Sequence, residues 1–274
     1  SRMVAPLTVT RPSSISLSPE RRDETPARDR IFCSRSTPLA WQNGRILQFC
    51  NLMHKLIIAI DGPSGAGKGT VARAIADQLG YRHVDSGAMY RAVGWKALHD
   101  GVSLDDEGAV ARLATGSRIE VSASEVTIDG TDVTRRIRTP EIDRAAAIVA
   151  RWPQVRAVLV DRQRRMGQDG AIVMEGRDIG TVVFPGADVK VYLDAAPEER
   201  ARRRARDPAH VGGPTAVAEV KSALTARDEV DRTRTASPLY AADNATLIDT
   251  TGKSVADVVA EVMGVIRGKL KSEK

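Results

Sequence analysis

Residues 56–70, LIIAIDGPSGAGKGT, restrict the fold of this chain more than any other stretch. LIIAI is a short, unbroken apolar run, the pattern of a strand buried on both faces. It leads into a loop carrying Gly62, Gly65 and Gly67, and the loop leads into TVARAIADQLG at 70–80. There Val71, Ala74, Ile75 and Leu79 recur at helical spacing, and Gly80 supplies a stop. YRHVD, residues 81–85, reads as a second strand, so strand, loop, helix and strand fit into residues 56–85 as a βαβ unit.

The rest of the chain repeats the alternation. GAIVMEG (170–176), VKVYLD (189–194) and TLID (246–249) are further strand candidates, with helical stretches at 154–166, 197–206 and 254–269. Alternating strands and helices predict a mostly parallel sheet covered on both faces. SRIEVSASEVTIDGTDVT (117–134) breaks the pattern, with two strand-like runs separated by turn residues. It predicts a small antiparallel insert between the second and third core strands, on the side where ligands approach.

Charge bears on partners. The chain carries 41 basic and 35 acidic residues, a net of +6. Residues 1–52 hold eight Arg, no Lys and four acids, whereas 53–274 hold 33 basic and 31 acidic residues. The body is almost neutral, which argues against a nucleic-acid partner steered by global charge. Residues 1–52, rich in Ser, Pro and Arg and without periodicity, predict a disordered leader or extension, with Met53 close to the functional start. Both cysteines, Cys33 and Cys50, lie in that segment, so the body offers no thiolate for catalysis or metal binding, which suits a reducing, cytoplasmic setting. No apolar run approaches the roughly 18–20 residues a membrane span needs.

The glycine loop departs from the general phosphate-loop pattern G-x-x-x-x-G-K-[ST] in one place. Gly62, Gly67 and Lys68 match, but Gly69 stands where a metal-binding hydroxyl is usual, and Thr70 comes one position late. Glycines let successive N–H groups turn toward phosphate oxygens, the helix that follows adds its positive end, and Lys68 supplies a mobile charge. A plain glycine turn needs neither the strand before it nor the lysine after it. DSGAMYR (85–91) opens the helix after the second strand, with Ser86 expected as N-cap and Arg91 beyond it, an anion site in that context and a capped helix with a surface arginine in any other. EGRDIGT (175–181) places Arg177 and Asp178 at the carboxyl end of a strand, where open parallel sheets bind ligands; the plainer reading is a local ion pair. In RDEVDRTR (227–234), Arg227, Asp231 and Arg234 share one helix face, a pattern that more often marks a solvated, salt-bridged surface. The run RARRRARD (200–207) invites the same reading.

In this order, IDGPSGAGKGT, DSGAMYR, GRDIGTVVFP and RDEVDRTR resemble the motifs of the bacterial cytidylate kinases, from about residue 54 to the C-terminus. The resemblance implies an α/β fold: a P-loop three-layer sandwich with a mostly parallel sheet, an acceptor-binding insert domain with a small antiparallel sheet, and a mobile lid. It implies a core of 53–87, 171–199 and 236–274, a nucleoside-monophosphate-binding domain over 88–170, and a lid with its flanking helix over 200–235. ATP would be held by Gly62, Pro63, Ser64, Gly65, Ala66, Gly67, Lys68, Gly69 and Thr70. In this superfamily Gly69 is a common variant, with Mg²⁺ held through ATP phosphates and water and no direct protein ligand. Ser86, Arg91 and Arg177 would hold the phosphate of CMP or dCMP, Arg227 and Asp231 its sugar, and Arg156 and Asp178 its cytosine edge. Lys68, Arg177 and Arg234 would be the catalytic cations. A serine that helps read cytosine in some members corresponds here to Ala147. The implied protein is a cytoplasmic monomer with no nucleic-acid or membrane partner.

Other readings compete on the same residues. A kinase for UMP, AMP or shikimate would share the loop but not the downstream motifs. A GTP switch would need N-K-x-D, and the chain contains no Asn-Lys pair.

Overall fold

The structure, a computed structural model, describes residues 55–207 and 216–272. The expected leader, residues 1–52, lies outside the described residues, as does part of the expected lid. Strand β1 (Ile57–Asp61) leads through the glycine loop into helix α1 (Lys68–Leu79), and β2 (Arg82–Asp85) follows. Helices α2 (Ser86–His99) and α3 (Glu107–Gly116) precede three short strands, β3 (Ile119–Val121), β4 (Val126–Ile128) and β5 (Thr131–Asp132). Helices α4 (Pro140–Val149) and α5 (Pro153–Met166) return the chain to β6 (Ile172–Gly176). The remaining elements are β7 (Val189–Asp194), α6 (Pro197–Ala205), α7 (Val217–Thr233), β8 (Thr246–Asp249) and α8 (Val255–Ser272).

Five strands form one parallel sheet in the order β2-β6-β1-β7-β8. The winding reverses at β1, so β6 and β7 part on either side of it. Open parallel sheets bind ligands outside the carboxyl ends of their strands at such a switch point, and the glycine loop leaves β1 there.

Both faces of β1 are covered, as its apolar run demands. Ile58 and Ile60 pack with Val71 and Ile75 of α1 and with Val259, Val262 and Ile266 of α8. Ala59 faces the other way, toward Met174, Val84 and Val160 of α5. A separate core joins α2, α3, α4 and α5 to the insert strands, with Met89, Ile119, Ile128, Ile142 and Leu159 buried together. The insert is a three-stranded antiparallel sheet, β3-β4-β5, one strand more than the sequence predicts. It lies between β2 and β6 in the chain, as the sequence predicts, and packs in that second core without supplying a residue to the lining of the main cavity.

Two local features escaped the sequence pattern. Residues Ile179–Val183 form a single π-helical turn directly after β6. The Asp61 carboxylate at the end of β1 accepts hydrogen bonds from the amides of Ile179 (2.8 Å) and Gly180 (2.7 Å) and ties that turn to the central strand. The second feature is the start of α2. Asp85, not Ser86, is the N-cap: its side chain accepts from the Ala88 amide, while Ser86 is the first helical residue. Ser86 is free of capping duty because Asp85 caps as well and stands one residue closer to the strand.

Gly62 sits at φ 143°, and a Cβ there would run into the Leu193 carbonyl of β7. Gly62→Ala therefore meets both strain and a backbone clash, and we expect a loss of stability of about 2 kcal/mol or more. Urea denaturation followed by circular dichroism measures it; a loss under about 0.5 kcal/mol would show that the loop relocates freely.

Candidate active site

At the carboxyl edge of the sheet lies a cavity of about 560 Å³. The glycine loop from Ser64 to Thr70 forms one wall, and the start of α2, one face of α4, Arg156 of α5, the end of β6, the end of α6, the C-terminal part of α7 and the start of α8 form the rest. Ten cationic side chains and six carboxylates line it, an excess of four positive charges. An anionic ligand is the complement of such a pocket.

Lys68, the first residue of α1, is buried, and its Nζ donates to the Pro63 carbonyl at 2.7 Å. Burial, with Arg177 adding repulsion, lowers its pKa to about 7. Burial likewise pushes the Asp61 carboxyl up to about 6. Gly62 and Pro63 do not line the cavity; their part is to turn the chain and to hold Lys68, while Ser64, Gly65, Ala66, Gly67, Lys68, Gly69 and Thr70 face it. Glu175 reaches this side of the loop: a Cβ at Gly69 would stand 2.7 Å from its Oε1, so a larger residue there would require the Glu175 carboxylate to shift. A carboxylate from β6 thus occupies the flank of the loop where a serine or threonine side chain would lie.

Beyond the loop, arginines are held in place by carboxylates. Arg177, at the end of β6, donates to Asp231 of α7 at 3.0 Å. Asp231 is buried, and Arg177, Arg227 and Arg234 outweigh the burial and hold its carboxyl low. Arg234 lies 3.5 Å from the same carboxylate and donates through Nε to the Ser237 carbonyl at 2.6 Å. It follows the last turn of α7 in an extended conformation, so the shared helix face covers Arg227 and Asp231 and ends before Arg234. Burial lowers the Arg234 pKa, and nearby Arg156 adds to the shift.

Arg156 of α5 is buried in a fork of contacts. Its guanidinium bonds Asp178, donates to Ser237 Oγ at 3.1 Å and to the Ala150 carbonyl at 3.3 Å, and lies over the Tyr90 ring at 5.5 Å. Ser86 lines the cavity too, but its hydroxyl donates to the Glu175 carbonyl at 2.6 Å. Arg91 and Arg138 both stand 3.3 Å from Asp85. Burial opposes charge on Asp85, yet these two arginines prevail and hold it well below the usual carboxylate range. Ala146, Ala147 and Ala150 give α4 a smooth face onto the cavity.

All the expected residues other than Gly62 and Pro63 therefore meet around one cavity. Asp85, Arg138, Asp143 and Glu175 were not singled out from sequence, nor was Asp61 beneath them, nor Thr250, Lys253 and Val255, which form the far end with Arg203 of the arginine run at 200–206. There Arg203 donates to Thr250 Oγ1 (2.9 Å) and to its carbonyl (2.7 Å), and the Thr250 hydroxyl donates to the Ala66 carbonyl at 3.2 Å. No isolated motif marks these residues; the acids sit beside visible motifs, and their partners are distant in sequence. Chemically, the arrangement offers amides, a buried amine and fixed guanidinia for anionic groups, with Tyr90 and the Arg156–Asp178 pair beside them on the cavity wall. Among the described residues no cluster of His, Cys, Asp and Glu could hold a metal unaided, and no helix is long and apolar enough to cross a membrane.

Comparison with known proteins names a family for this arrangement. The cytidylate kinase family model matches residues 58–268. A relative named cytidylate kinase from Desulfitobacterium hafniense (strain Y51) is 46% identical over 220 residues, covering 79% of this chain and 95% of the relative. Another of that name, from Pelotomaculum thermopropionicum, is 46% identical, covering 75% of this chain and 93% of its own. A third, from Geobacillus sp. (strain WCH70), is 43% identical, covering 80% and 100%.

The depressed lysine yields a signed prediction. At pH 8 an amine with a pKa of about 7 is mostly neutral in the free pocket. A polyphosphate beside it restores the charged form, so binding takes up about one proton at pH 8 and little at pH 6, where the amine is already charged. Calorimetry in buffers of different ionisation enthalpy reads this uptake, and Lys68→Met removes it. Equal uptake in wild type and Lys68→Met would reject Lys68 as its source.

Proposed function

Because this chain belongs to the cytidylate kinase family, we propose that it transfers the γ-phosphoryl group of ATP to CMP or dCMP, giving ADP and CDP or dCDP. The observation that carries the reading is the single cavity in which a phosphate loop faces the arginines of α2, β6 and α7. The phosphates of ATP lie along Ser64–Thr70, with its base toward Arg203, Thr250, Lys253 and Val255. Arg91 and Arg177 receive the acceptor phosphate, and Ser86 joins them once its hydroxyl turns from the Glu175 carbonyl. Arg227 and Asp231 take the sugar. Arg156 and Asp178 read the cytosine edge, where an exocyclic amine suits the carboxylate and a ring carbonyl suits the guanidinium.

The acceptor oxygen is already anionic at neutral pH, so no general base is needed. Catalysis is alignment and charge stabilisation: Lys68, Arg177 and Arg234 meet the negative charge that spreads over the transferred group. Mg²⁺, held through the ATP phosphates and water with Glu175 beside Gly69 as an acceptor for such water, would add charge neutralisation. Residues 53–87, 171–199 and 236–274 act as the core, 88–170 as the acceptor domain and 200–235 as the lid whose closure excludes water. Every group in this scheme comes from one chain, which suits a monomer, acting in the cytoplasm.

A coupled ADP-release assay with ATP and Mg²⁺, offering CMP, dCMP, UMP and AMP, tests the reading. Turnover is expected with CMP and dCMP and little with UMP or AMP; comparable turnover with UMP would make the enzyme a broader pyrimidine-nucleotide kinase, and no turnover with any of them would overturn the reading. In the same assay Ala147→Ser, which adds a hydroxyl on the cavity face of α4, is expected to raise the CMP-to-UMP preference by up to about tenfold. Lys68→Ala should lower kcat by at least about a hundredfold while shifting the CMP dissociation constant far less. Near-normal turnover would remove Lys68 from the mechanism.

A further inference from the structure

One carboxylate has no part in the scheme above, although three arginines converge on it. Asp143 lies on α4, and α2, α6 and α7 each direct a guanidinium toward it. Arg227 stands 3.3 Å away, Arg91 4.0 Å, and Arg204 of α6 bonds it directly. The Asp143 side chain is only 16% exposed, so these are sheltered interactions and not solvated surface pairs.

We propose that Asp143 is an internal counter-ion of the acceptor pocket: it occupies Arg91, Arg204 and Arg227 until an incoming phosphate monoester displaces it, and so sets the affinity for the acceptor. This rests on the acceptor assignment above. A guanidinium directs its donors in one plane, so the donors turned to Asp143 must be released or shared when a phosphate is bound. The same contact ties Arg204 of α6 to α4, so an arriving phosphate also releases Arg204 from α4, while Arg200 and Arg203 keep α6 on Asp228, Ser64 and Thr250. Room for this exchange exists. Asp143, Arg204 and Arg227 form a wall shared by the main cavity and a second, largely apolar cavity of about 570 Å³ between α4 and α7. A displaced carboxylate can turn toward that side, where Arg144 and Arg151 line the second cavity.

Other carboxylates face two of the three arginines and keep them ordered once Asp143 is neutralised. Arg91 retains Asp85 at 3.3 Å, and Arg204 retains Asp207 at 3.6 Å. Asp143 also lies in the first turn of α4, where an acid favours the helix. A purely structural role and a competing role therefore differ in the sign of their effect. Damage to the pocket weakens phosphate binding, whereas removal of a competitor strengthens it.

The test compares wild type with Asp143→Asn, which keeps the shape and loses the charge, and with Asp143→Ser, which suits a first helical turn should the amide variant not fold. Two quantities are measured: kcat and KM for CMP at saturating ATP and Mg²⁺, and the dissociation constant for inorganic phosphate by calorimetry with ADP and Mg²⁺ saturating to keep the loop occupied. Both are expected to tighten on the order of tenfold, with the kinetic change carried by KM. Phosphate affinity that is unchanged or weaker in a folded variant overturns the proposal. If wild type fails to phosphorylate CMP, the proposed function falls, and the phosphate measurement still decides the role of Asp143.

Discussion

Ten cationic side chains around one cavity would repel one another strongly enough to oppose folding if nothing stood between them. The carboxylates are what make the arrangement possible. Asp85 holds Arg91 and Arg138, Asp231 holds Arg177 and Arg234, Asp178 holds Arg156, and Asp143 gathers Arg91, Arg204 and Arg227. Each pair joins different elements, or the end of an element to its own last turn. The ion pairs therefore fix the positions of helices and strand ends relative to one another. They also leave the excess of positive charge aimed at a ligand, which is the source of the pocket's selectivity for anions.

The sheet supplies the frame on which this charge is mounted. Its winding reverses at β1, which leaves a crevice between β6 and β7 at the carboxyl edge. Asp61 at the end of β1 anchors the π-helical turn after β6. Arg177 and Asp178 stand just before that turn, so a hydrogen bond from the central strand governs where two binding side chains emerge. Burial that raises the Asp61 pKa and lowers that of Lys68 is the cost of placing the lysine at the wall of the site and the aspartate beneath it. An anionic ligand relieves the lysine half of that cost.

Glu175 and Gly69 belong together in the same way. The loop lacks the usual hydroxyl, and the Glu175 carboxylate from the strand beside it reaches that flank of the loop, 2.7 Å from where a Cβ at Gly69 would stand.

Much of this was legible in the chain. The apolar run of 56–60, the glycines, Lys68 and the periodic helix after them determine a strand–loop–helix unit, because burial on two faces and close backbone turns admit few other conformations. The order of four motifs pointed to the family, and the parallel strands at β6, β7 and β8 could be read from their apolar runs. Ser86 was misread as a cap, since two capping residues stand side by side and only the backbone geometry chooses between them. The insert strands were located between the second and third core strands but not counted, because short half-exposed strands carry little periodicity. Above all, the sequence could not say which arginine meets which acid. Arg204 and Asp143 are 61 residues apart, and Arg177 and Asp231 are 54 apart. Charge pairing over such separations is decided by the packing of α4, α6 and α7 around the sheet. Local composition determined the phosphate loop and the supply of charge; the tertiary structure alone decided how that charge is paired, and therefore what the pocket can hold.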